Sequence, residues 1–230
     1  MTLHLGIEDI EPNNWVAWVF ELPGCYARGT TREQALALAP PAVDELLDRL
    51  STDDFRLSNI QPPFGFSIEE EFRAIPSAPD YLVNAFFRND AIPLKPADIA
   101  YAACLFVLNR NALHAIISTL SDAVLDREVA GEVQQTIRGV IRHIGTAEWW
   151  YWDRLGLAFP REERPHDIAE LLPKVRAYTL QKLSELIGST IITERIGEKW
   201  SPRKLLRRAI WHERVHTHQI ARYVGAFNDS

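Results

Sequence analysis

Three of the seven histidines fall where one metal ion could be shared between them. Near the C-terminus, Leu205, Ala209, His212, His216, Gln219 and Tyr223 follow a 4-3-4-3-4 spacing, which is a single inward-facing stripe on a helix. Residues four apart lie one turn up the same face, so the rings of His212 and His216 can reach a common point. Further upstream, Val140, His143, Ala147 and Trp150 form a similar stripe that turns a third imidazole inward. Burying three neutral imidazoles is costly unless each finds a partner, and a divalent cation satisfies all three at once. The competing reading is three core histidines, each bonded to a backbone carbonyl; an HxxxH pair by itself does not decide between them. His218 falls off the stripe and reads as exposed, whereas His4, His114 and His166 read as structural or surface residues.

The elements that must position these rings are helical. Asp98 to about Leu125, Glu132 to Leu157, His166 to Ile187 and Ser201 to about Ala226 are apolar-periodic segments joined by modest connections. Ser201 is the N-cap of the last segment and Pro202 its first helical residue. This pattern predicts an up-down four-helix bundle over residues 97–230, after a proline-rich linker at 76–96 that contains Pro76, Pro79, Pro93 and Pro96. A short helix is expected near Tyr81 to Phe87.

Residues 1–75 read differently. Thr2–Ile7, Trp15–Phe20 and Cys25–Arg28 are strand-like, with a Pro23-Gly24 turn before the third. Thr30 or Thr31 caps a helix that Pro40-Pro41 should break or kink, and Phe64–Phe72 alternates as one more strand. The fold class expected is α+β: three to four antiparallel strands with a helix, followed by the all-α part.

Composition narrows the function. Residues 1–95 carry 15 acidic against 7 basic side chains, and residues 96–230 carry 16 against 18. Neither half has the basic excess that phosphate binding by counterion release requires, so no nucleic-acid partner is expected. No uninterrupted apolar run approaches the length of a membrane span, no secretory signal is visible, and Cys25 and Cys104 form no CxxC unit. A cytoplasmic protein with two reduced thiols and no membrane partner is expected. There is no Ser-His-Asp arrangement and no phosphate-cradling glycine loop. Glu148 and Glu213 lie off the central stripes and are expected to be solvated.

The run from His143 through Glu148-Trp149-Trp150, followed by Trp211-His212-Glu213-Arg214-Val215-His216-Thr217-His218-Gln219-Ile220, resembles the DinB superfamily over about residues 96–228. The resemblance implies a four-helix bundle with one histidine on the second helix and an HxxxH pair on the last, matched here by His143, His212 and His216. Typical members have an arginine directly after the pair, where this chain has Thr217. Some members are, or resemble, thiol transferases, which implies a low-molecular-weight thiol cosubstrate. Residues 1–50, with Glu21-Leu22-Pro23-Gly24-Cys25 and Gly29-Thr30-Thr31-Arg32-Glu33-Gln34, resemble a HicB-like antitoxin domain. A structural or dimerising module is the reading preferred for that part.

Three nitrogen ligands leave a fourth position open, as in catalytic rather than structural metal sites. The expectation is a transferase or hydrolase acting on a small-molecule substrate, with Gln219 either supporting a ligand or contacting substrate and Trp150 as a substrate contact. Zinc or nickel comes first as the ion, with iron or manganese behind. The alternative is a non-catalytic binding or stress-response module that senses metal or binds a partner. A homodimer through bundle faces or strand edges is a fair expectation.

Overall fold

A computed structural model describes residues 1–11, 13–51, 55, 57, 60–79 and 81–228. It is mixed α+β and divides into two compact units: residues 1–94 with 190–207, and residues 95–189 with 208–230.

The first unit is built on a four-stranded sheet in the order β3-β2-β1-β4, with β1 Thr2–Glu11, β2 Asn14–Val19, β3 Tyr26–Gly29 and β4 Gly65–Arg73. Leu3, Leu5 and Ile7 on β1 and the whole Val16–Val19 run on β2 are buried. Pairing of β1 with β2 and of β2 with β3 is antiparallel, but β4 lies parallel to β1, which corrects the all-antiparallel expectation. The cause is the helical crossover between β3 and β4, because parallel neighbours need such a connection. That crossover is α1 (Arg32–Ala37), capped by the Thr31 hydroxyl on the Gln34 amide, and α2 (Ala39–Ser51). The break falls at Leu38, so Pro40 and Pro41 enter the first turn of α2, where their missing amide protons are not needed.

This unit also holds two hairpins. One is β5 (Ile75–Ala78) with β6 (Tyr81–Val83), and the other is β7 (Thr193–Arg195) with β8 (Glu198–Trp200). A strand therefore replaces the helix expected near Tyr81, since the β-branched and aromatic residues there pair across a turn. Charges are buried here in closed sets. Lys204 and Glu198 are both fully enclosed and 2.7 Å apart, with the Tyr81 hydroxyl also donating to Glu198. Arg207 donates to Asp90 at 2.7 Å, and Glu8 accepts from the Trp18 indole and the Ala85 amide.

The second unit is helical: α3 (Pro96–Ile117), a single turn α4 (Asp122–Leu125), α5 (Ile137–Arg154), α6 (Ile168–Lys182), and α7 (Pro202–Asn228) from Arg208 onward. Thr136 caps α5 through the Gly139 amide, Asp167 caps α6 through the Ala169 amide, and the Ser201 hydroxyl accepts from the Lys204 amide at the start of α7. Leu113, Ile141, Ile144, Leu172, Ile220 and Tyr223 meet in one apolar cluster drawn from α3, α5, α6 and α7. Gly145 permits α5 to approach α6; a Cβ there would lie 2.8 Å from Leu171 Cγ. By length and composition α3 could cross a membrane, yet it carries buried Asn109 and Arg110, both hydrogen-bonded, as a core helix does.

Candidate metal centre

The three predicted imidazoles come together. His143 projects from α5, and His212 and His216 from successive turns of α7. One ring nitrogen from each lies within 4.8 Å of the others, and the ring centroids are 4.3 to 4.7 Å apart. His212 Nε2 is 2.9 Å from His143 Nε2, closer than two lone pairs tolerate unless a proton or a cation lies between them. His212 is buried and the other two are half-buried.

The orientation of His216 is fixed through a chain of hydrogen bonds. The Tyr223 hydroxyl donates to the Gln134 carbonyl at 3.0 Å, so its oxygen accepts from Gln219 Nε2 at 2.7 Å. That sets the Gln219 amide with Oε1 toward His216 Nδ1, 2.6 Å away. A carbonyl oxygen can only accept, so Nδ1 carries the proton and Nε2 keeps its lone pair. Gln219, expected either to support a ligand or to contact substrate, is hydrogen-bonded to a candidate ligand.

Burial depresses all three titrations. His143 is brought to about 4 by burial and then by His216. His212 lies well below its usual value through burial, followed by His216, His143 and Arg208. For His216 burial outweighs the opposing hydrogen bond to Gln219. The rings are therefore neutral at pH 7, the state a metal requires. Two nitrogens each 2.0–2.1 Å from one ion are roughly 2.9 Å apart at a right angle and about 3.3 Å apart at a tetrahedral one. The donors fit a single ion after an inward turn of at most about 1.5 Å by the farthest ring.

Glu148 and Glu213 correct the expectation of solvated carboxylates. Both are buried, at 5% and 2% exposure. Arg110 donates to Glu213 at 2.5 Å, to Glu148 at 2.8 Å and to the Leu172 carbonyl at 2.7 Å. Arg176 donates to Glu148 at 2.9 Å, to Glu213 at 2.5 Å and to the Phe106 carbonyl. A signal for this network was present in the chain: Phe106-Arg110-Leu113 and Leu172-Arg176-Thr179 each set an arginine in an apolar stripe at 4-3 spacing.

Trp150 is half-buried, stacked under Arg154 at 4.4 Å, and lines a cavity of about 570 Å³ that no histidine borders. Tyr151, which the sequence did not single out, meets His212 edge-on at 5.8 Å. His114, His166 and His218 are exposed, and His4 pairs with Glu21 at 2.6 Å.

The family model described as the DinB superfamily matches residues 105–220, about half of the chain and all three histidines. No curated protein and no solved structure matches.

Proposed function

The chain belongs to the DinB superfamily, and from that premise we propose that α3, α5, α6 and α7 form a four-helix bundle holding one divalent metal ion through His143, His212 and His216. Its chemistry is that of a transferase, of the thiol S-transferase kind, or a hydrolase for a small molecule. The observation that carries this reading is the convergence of three neutral, buried imidazoles from two helices, with their nitrogens within 4.8 Å. When bound, such an ion lowers the pKa of a water or thiol in its open position.

The chain's own residues orient and flank the ligand rings. Gln219 orients His216, and Tyr151 and Trp211 pack against His212. Glu148 and Glu213, the carboxylates nearest the ligands in sequence, are each held by two arginines. Neither is open to act as a general base, so a proton lost from a group held by such an ion would have to pass to solvent or to the second substrate. Nitrogen donors suit zinc or nickel first and iron or manganese next.

Protein purified without an affinity tag should carry about one metal per chain by elemental analysis, and His212→Ala and His216→Ala should lose it. A screen of low-molecular-weight thiols with electrophiles should then show turnover that the same substitutions abolish. Metal without turnover favours the second reading, a non-catalytic binding module. That reading is supported by the two strands, proline-glycine turn and capped helix over Asn14–Ala37, which carry the HicB-like resemblance. Residues 1–94 and 190–207 form one unit, so a pull-down testing a partner should use the full chain.

A further inference from the structure

The cavity beside Trp150 has the composition of an anion subsite. It measures about 570 Å³, within the range of small-molecule pockets. Trp149, Trp150 and Phe159 supply aromatic wall, and Arg154, Arg161 and Arg164 supply three guanidinium groups against one carboxylate, Asp153. Asp153 is already paired with Arg154 at 2.8 Å, which leaves two cations uncompensated. Arg164 stacks on Trp149 at 4.9 Å, and neither it nor Arg161 makes a side-chain hydrogen bond or ion pair among the described residues. Glu163, on the same loop, is turned to Lys174. Stacking on an indole fixes a guanidinium plane while its N–H fork stays open, and such a fork matches the paired oxygens of a carboxylate or phosphate.

The geometry points to a binding site for a small organic anion, its charged head on Arg161 and Arg164 and its planar or apolar body against Trp150 and Phe159. This site does not depend on the metal reading, since no histidine lines it. Using the full chain freed of metal with a chelator and then dialysed separates an anion bound here from one bound to a metal.

Phenyl phosphate, benzoate and neutral phenol serve as probes in calorimetric titration. Saturable one-site binding of phenyl phosphate or benzoate is expected, with phenol at least about tenfold weaker. Arg161→Gln/Arg164→Gln should weaken the anion by about tenfold or more, and Arg195→Gln, an exposed charge in the other unit, should leave it unchanged. A preference for phenyl phosphate identifies a phosphate ester and a preference for benzoate a carboxylic acid; either upholds the subsite. Absence of saturable binding, phenol binding as tightly as the anions, or undiminished affinity in the double variant overturns it. Arg161 is exposed and Arg164 half-buried, so the double variant should keep its fold, checked by an unchanged circular dichroism spectrum.

Discussion

The helical unit buries two polar clusters almost side by side, and they solve opposite problems. Glu213 follows His212 directly on α7, and Glu148 comes five residues after His143 on α5. The arginine–glutamate quartet closes on itself: two cations meet two anions, and spare N–H groups reach the Leu172 and Phe106 carbonyls. The histidine trio does not close. Its three rings are neutral, and Gln219 Oε1 takes only the Nδ1 proton of His216. Burial alone therefore does not mark a binding site. What marks it is a set of acceptors left over once every internal bond has been made.

The largest effect should come from breaking the closed cluster. Arg176→Met leaves two buried carboxylates sharing one arginine, and loss of one partner from a buried ion network typically costs about 3–5 kcal/mol. Urea denaturation should show that loss equally with and without bound metal. A loss under about 1 kcal/mol would mean that the carboxylates find water, and the contrast between the clusters would fail.

Acid should separate the two. Each histidine titrates lower in the folded protein than its ordinary 6.5, so below that pH the unfolded chain takes up protons that the folded one refuses. Metal-free protein should lose stability as pH falls from about 6.5 towards 4. Glu148 behaves otherwise: burial works to raise its pKa, but Arg176 and Arg110 together outweigh that and hold it below 4.5. Its contribution is present above that value and disappears only as pH falls further. The triple variant His143→Gln/His212→Gln/His216→Gln should flatten the upper limb of a stability–pH curve and leave the lower one. An unchanged upper limb would remove the trio as its source.

Why the trio was legible in the chain and the burial of the quartet's two carboxylates was not follows from periodicity. His212 and His216 extend an apolar stripe, so their inward direction is written in the 4-3 spacing. Glu148 and Glu213 face inward at the edge of that stripe, and only arginines from α3 and α6 make their burial tolerable. Those partners lie 38 and 28 residues from Glu148 and 103 and 37 from Glu213, a pairing that local pattern does not encode. The long helices of the second unit were readable from periodicity to within a few residues, apart from the break after Ile117 and a start of α5 expected at Glu132 but found at Ile137; the short helix expected near Tyr81 is a strand. The parallel placement of β4 was not, because strand alternation specifies which face is buried but not which neighbour is chosen.

The smallest effect tests how the open cluster is aimed. Tyr223→Phe removes the oxygen that accepts from Gln219 Nε2 while keeping the ring in its apolar cluster. Without that hydroxyl the Gln219 amide still has Glu132, at 3.5 Å, but loses the closer of its two acceptors. His216 Nδ1 would then be held less firmly, and the fraction of time its Nε2 faces the other two nitrogens would fall. Changes to such outer partners typically cost about 10–100-fold in metal affinity, and the tyrosine, one bond further out, should lie near the lower end. Competition with a metal-chelating dye measures it, with Gln219→Leu expected to be the weaker binder of the two. Equal affinity in Tyr223→Phe and the parent chain, with Gln219→Leu impaired, would place the orienting bond at Gln219 alone.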